Sequence, residues 1–207
     1  MTSPDAIQQE PSTADESYTD RLLSLESSGL RRLIPAQAPY RAHLRRLKLG
    51  RMLDIGCGLG RNLLHNRGIG VGVDHNAHSV ATARSRGLTA YTPEEFAASA
   101  DAVPGSFDSL LISHVLEHID KAGTESLLQD YLRYVRPGGR VVMITPQEAG
   151  FASDATHIRW VDFDVLRAIA ADAGIDVRRT YSFPLPRLAG KLFRYNEFVC
   201  VSAKPEA

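Results

Sequence analysis

Leu53-Asp54-Ile55-Gly56-Cys57-Gly58-Leu59-Gly60-Arg61-Asn62 ends an apolar run in an acid and follows it with three alternate glycines. A second apolar run closes on Asp74, 18 positions after Gly56. Glycines at a strand-to-helix turn let the main chain approach a ligand, and a carboxylate ending the next strand accepts hydrogen bonds from ribose hydroxyls. The pattern predicts a nucleotide site. A dinucleotide turn would carry its third glycine at position 61, which is Arg, and Asp54 would oppose its two phosphates. Asp54 suits a ligand with a cationic end. A tight turn that binds nothing is the plain alternative.

Asp-x-Gly-x-Gly-x-Gly resembles motif I of the class I S-adenosylmethionine (SAM) dependent methyltransferases, and the resemblance runs from about Leu53 to Lys204. It implies that Asp54, Gly56, Cys57, Gly58, Gly60 and Asn62 hold the methionine part of SAM, that Asp74 chelates the ribose, and that His75 stacks on the adenine. A helix cap is enough to explain Asn76. The third strand end, Tyr91-Thr92-Pro93-Glu94-Glu95, departs from the family pattern, because Pro93 has no amide hydrogen to give the adenine. Either Glu94 or Glu95 takes over that contact, or the alignment slips by a residue or two; Thr92 and Pro93 also make a good helix start.

Phe107-Asp108 through Glu117-His118 resembles motif IV of the branch that includes the quinone-biosynthesis methyltransferases, which implies Ser113 and His114 beside the sulfonium. His157-Ile-Arg-Trp160 resembles the His-containing loop that covers the substrate in that branch. His114, Glu117, His118 and His157 are expected to converge above the methyl group, with His118 or His157 as general base. His118 pinning a loop is the bland alternative. Glu117-His118 with a distant His also resembles the metal set of some small-RNA and quinone O-methyltransferases, but those carry Glu where this chain has His114. A divalent metal is therefore not favoured.

The implied activity is methyl transfer to a small-molecule or glycolipid acceptor, as O-methylation, with S-adenosylhomocysteine (SAH) as product. An RNA methyltransferase and a non-catalytic SAM-binding protein are the alternatives. The Asp/Asn-Pro-Pro-Tyr/Phe motif of base-methylating enzymes is missing, and the formal net charge of zero provides no general attraction to nucleic acid.

Strands and helices that alternate from Arg51 must position these groups, which predicts a doubly wound α/β fold. Strands are expected at 51–55, 70–74, 88–92, 107–113 and 139–145, and helices at 60–66, 76–86, 93–99, 121–135 and 162–173. Asp176–Ser182 and Glu197–Ala203 complete a mostly parallel seven-stranded sheet with an antiparallel C-terminal edge strand, as the resemblance implies. Residues 1–17 read as a disordered tail and 18–50 as a helical cap. That cap includes a helix within 18–33 and a basic helix over 41–50, whose charges flank Leu44, Leu47 and Leu49. The SAM-binding domain is 51–207, with substrate-loop insertions at 147–161 and 183–196. The second insertion mixes apolar, aromatic and cationic groups suited to an amphipathic substrate. With 43% hydrophobic residues the chain can form one large core, and no stretch is long enough to span a membrane. Cys57 and Cys200 read as small buried thiols of a reducing, cytoplasmic setting. The oligomeric state is left open.

Overall fold

The computed structural model describes residues 37–206. The expected tail and the helix within 18–33 lie outside these residues. Helix α1 (Ala38–Arg46) is followed by β1 (Met52–Ile55), α2 (Arg61–His65), β2 (Gly70–Val73), α3 (Ala77–Ser85), β3 (Ala90–Tyr91) and α4 (Pro93–Ala98). Next come β4 (Phe107–Ser113), a 3-10 turn at Leu116–His118, α5 (Lys121–Leu132), β5 (Val135–Pro146) and α6 (Glu148–Phe151). Helix α7 (Phe163–Asp172), β6 (Asp176–Phe183), a 3-10 turn at Arg187–Lys191 and β7 (Glu197–Ala203) complete the order.

The seven strands form one sheet in the order β3-β2-β1-β4-β5-β7-β6. Strands β1 to β5 run parallel, and β7 runs antiparallel to both β5 and β6. The antiparallel C-terminal strand is thus present, one place in from the edge that β6 forms. Chain order reverses between β1 and β4, so the crevice beyond their carboxyl ends is the switch point where such folds take ligands. Alternation along the strands feeds two apolar layers. Leu53, Ile55, Leu110, Ile112, Val141 and Met143 face one; Met52, Leu111, Val142 and Ile144 face the other, where Leu44, Leu47 and Leu49 join them.

Several boundaries differ from expectation, and three of them have a visible cause or consequence. Helix α1 starts at Ala38, three residues early, because Pro39 fits the first turn of a helix. Helix α5 stops at Leu132 rather than 135, and β5 begins at Val135. There the Pro137-Gly138-Gly139 stretch stays in the strand because Lys204 fastens it: Gly138 N–H donates to Lys204 O (3.1 Å) and Lys204 N–H to Gly139 O (2.8 Å). The 147–161 loop also contains the short helix α6.

Helix α1 is fixed to the β6 side of the sheet. His43 is buried, stacks on Phe183 with ring centres 4.0 Å apart, and shares a 2.6 Å hydrogen bond with the Tyr181 hydroxyl. Burial, reinforced by Arg179 and Arg46, pushes the His43 pKa down to about 4. Tyr40 O–H donates to Tyr195 O at 2.6 Å, which ties the helix to the segment before β7.

Candidate functional site

Asp54, on β1, is fully buried, and neither carboxylate oxygen has a hydrogen-bond partner among the described residues. Burial pushes its pKa up to about 7; the Asn62 side chain, near but outside hydrogen-bond geometry, partly offsets this, and Asp74 adds to it. A buried carboxylate left in this state is costly. A cationic hydrogen-bond donor would satisfy it.

The glycine turn follows with left-handed backbone at Gly56 (φ 70), Gly58 (φ 50) and Gly60 (φ 79). A Cβ at Gly56 would collide with Val115, and one at Gly60 with Leu88. The turn is closed on β2: Gly56 N–H donates to Val73 O at 2.8 Å and Gly58 N–H to Asp74 Oδ2 at 2.7 Å. Asp74 Oδ1 accepts from Asn76 N–H at 2.9 Å. Two lone-pair sites of Asp74 are thereby used, which leaves two for a vicinal diol. Cys57 turns its buried thiol against Gly72, and burial raises its pKa, so it presents main chain rather than sulfur to the turn.

His75 is half-exposed beside Asp74, at 3.7 Å from Oδ1. Asn76 caps α3 by accepting from His78 N–H and Ser79 N–H. At the end of β3, Thr92 and Glu95 form a reciprocal capping box, and Glu95 also takes a bidentate ion pair from Arg84. Glu95 is therefore committed to α4, although both acids are exposed, and Glu94 is the one that the capping box leaves out.

Beyond β4 the chain turns sharply. Ser113 ends the strand, and His114 takes a left-handed conformation (φ 58). Its Nδ1 lies 3.2 Å from Glu117 Oε1 and its Nε2 2.9 Å from Glu197 Oε1. Carboxylates accept and do not donate, so both ring nitrogens carry protons and His114 is an imidazolium. Burial alone would lower its pKa, but Glu117 and Glu197 together outweigh that and push it up to about 10.

Glu117 is fully buried, and its Oε2 has no partner among the described residues. One ligand atom each of Glu117, His118 and His157 lies within 4.8 Å of the others. The tautomers follow from the hydrogen bonds. His157 Nδ1 lies 2.7 Å from Phe151 O, a pure acceptor, so Nδ1 is the donor. Thr156 gives its hydroxyl proton to Asp154 (2.8 Å), so His118 Nδ1 must donate to Thr156 O and Oγ1 (both 3.1 Å). In the neutral rings both Nε2 atoms are then lone pairs. That of His157 stands 4.0 Å from Glu117 Oε1. Burial keeps the His118 pKa below the ordinary histidine value.

The structure thus gathers His114, Glu117, His118 and His157, and separately Asp54, Asn62 and Asp74 around the glycine turn. It adds Glu197, which nothing in the sequence singled out: a lone acid before an apolar strand, 83 positions from His114, has no local signature.

A seven-stranded sheet with this order and an acid–glycine turn at its switch point defines the class I SAM-dependent methyltransferases. The profile of a family described as a methyltransferase domain matches residues 25–179, and the chain belongs to that family. No curated protein matches the chain. A SAM-dependent methyltransferase from Archaeoglobus fulgidus is similar in structure, with a TM-score of 0.65, 21% identity, and coverage of 92% of this chain and 100% of that one. A SAM-dependent methyltransferase from Thermotoga maritima, described as a possible histamine N-methyltransferase, gives 0.64 at 19% identity, covering 90% and 97%. The [4+2]-cyclase SpnF gives 0.59 at 18% identity, covering 81% of each chain. These likenesses show the shared fold; the acceptor has to be argued from the site.

Proposed function

We propose that this methyltransferase methylates a hydroxyl of a small-molecule or glycolipid acceptor, with His118 as general base. The observation that carries the reading is the His118 tautomer: Nδ1 is held by Thr156, which leaves Nε2 as a lone pair with no hydrogen-bond partner among the described residues. When bound, SAM supplies an electrophilic methyl group. The unsatisfied Asp54 carboxylate fits its ammonium, and the two remaining lone-pair sites of Asp74 fit its ribose hydroxyls. Glu94 and His75 would contact its adenine, and Ser113, which ends β4, would lie near its methyl group. His118 Nε2 would accept the hydroxyl proton, the methyl passing from sulfur to that oxygen with SAH as the leaving group, while His157 lies against His118 and charged His114 fixes the turn. Buried, unpaired Cys57 and Cys200 support a reducing, cytoplasmic setting. Among the described residues no helix is long and apolar enough to cross a membrane.

Calorimetric titration of SAM, SAH and NADH into wild type and Asp74→Ala tests the cofactor. Micromolar SAM or SAH binding, lost in the variant and absent for NADH, supports the reading; no binding to the folded, ligand-free protein refutes it. A second reading rests on the grouping of Glu117, His118 and His157, one ligand atom of each within 4.8 Å of the others, with Glu117 Oε2 free of a partner among the described residues. These three groups would hold a transition-metal ion, which would activate the acceptor oxygen as a Lewis acid. Activity that a chelator abolishes and zinc restores favours this second reading over His118 as base.

A further inference from the structure

The 183–196 segment between β6 and β7 has a surface that methyl transfer does not require. Leu192 is 91% exposed and Leu188 77%, with Leu185 and Phe193 exposed nearby. Clustering of this kind is unusual, since large apolar side chains on a folded surface are normally scattered. The same segment contains Arg187, Lys191 and Arg194 and no acid.

The exposure is built in. Gln147 and Asn196, both fully buried, hold the segment's backbone from below: Asn196 Nδ2 donates to Gln147 Oε1 (3.0 Å) and Pro186 O (3.2 Å), and Leu185 N–H donates to Asn196 Oδ1 (2.9 Å). Arg187 makes a bidentate pair with Glu148 at 2.6 and 2.7 Å. Gly190 packs so tightly on Gln147 that a Cβ there would collide with it. The backbone is anchored inward and the leucines project outward.

We propose that this insertion docks the enzyme on an anionic phospholipid surface, with Leu188 and Leu192 entering the acyl boundary and Lys191 and Arg194 meeting the headgroups. Side chains that project this far suit a fluid apolar phase better than a flat protein partner, and the two cations match anionic headgroups in charge. Docking would also bring the site close to the membrane, since Glu197, which follows the insertion directly, pairs with His114. The inference goes beyond the proposed reaction and stands whether or not the acceptor is a lipid.

Co-sedimentation of the full chain with neutral phosphatidylcholine vesicles, and with vesicles containing about a quarter phosphatidylglycerol, tests it. At least about tenfold stronger binding to the anionic vesicles is expected, weakened by salt. Leu188→Ser/Leu192→Ser and Lys191→Gln/Arg194→Gln should each cut binding about tenfold or more. SAM affinity and melting temperature should not change, which separates this outcome from failure of the site reading. Binding that survives both double variants, or no binding at all, overturns the proposal. A fluorophore on Leu192→Cys, with Cys57 and Cys200 buried, identifies other occupants. An apolar signal before vesicles are added means that another part of the chain or a second copy covers the patch, and also overturns it; an apolar signal only with anionic vesicles supports it.

Discussion

His114 Nε2 and Glu197 Oε1 are 2.9 Å apart, although the two residues are separated by 83 positions. The contact joins the turn after β4 to the first residue of β7, so the order of the site depends on the antiparallel strand being seated. Together with Glu117 it holds His114 as a cation in a left-handed turn.

The raised His114 pKa contributes stability that is fully present below the unfolded value near 6.5 and lost as pH rises through about 10. Thermal melts of wild type should therefore fall more steeply between pH 7 and 10 than those of His114→Gln. At neutral pH Glu197→Gln should cost about 1–2 kcal/mol, less than a fully buried pair, because His114 is partly exposed.

Asp54 gives a related prediction, with the same sign and an acid as the group. Its folded pKa of about 7 lies above the unfolded value, so its stabilisation is complete below about pH 4 and is lost as pH rises through 7. Asp54→Asn should raise the melting temperature of ligand-free protein at pH 8 by several degrees, with little effect at pH 4. The same variant should weaken SAM binding at least tenfold by calorimetry, because the ammonium loses its counter-charge.

If His118 is the base, His118→Gln lowers kcat by about 10² to 10⁴ while SAM affinity stays the same. In wild type kcat/KM should rise with pH through a midpoint below that of an ordinary histidine, since burial lowers the His118 pKa. Asp154→Ala frees the Thr156 hydroxyl to donate to His118 Nδ1, and a smaller loss in kcat than in His118→Gln is expected.

Gly56→Ala tests the turn as a physical object. The left-handed φ and the collision with Val115 should destabilise the chain by about 1–3 kcal/mol, read by urea denaturation. A loss of SAM binding larger than the loss of stability explains would show that the main chain at this turn touches ligand.

Much of the fold could be read locally. Apolar runs that end in acids mark β1 and β2, Thr92-Pro93-Glu94-Glu95 marks the capped start of α4, and Asp162 marks that of α7, because each depends on interactions within a few residues. The extent of β5 could not be read this way. Pro137-Gly138-Gly139 reads as a turn until Lys204, 65 positions or more away, bonds to it. Glu95 was an open candidate for adenine recognition until Arg84 and Thr92 claimed its carboxylate.

By itself the sequence determined the α/β class and the acid–glycine turn with Asp74, because spacing along strands and turns fixes these through the backbone; the histidines of the proposed chemistry came from the family resemblance. Tertiary structure decided the charge state of His114, the tautomers of His118 and His157, the unsatisfied carboxylates of Asp54 and Glu117, and the outward leucines of the insertion. Protonation, burial and exposure depend on what the rest of the chain packs around a group, and that is set by contacts between residues far apart in sequence.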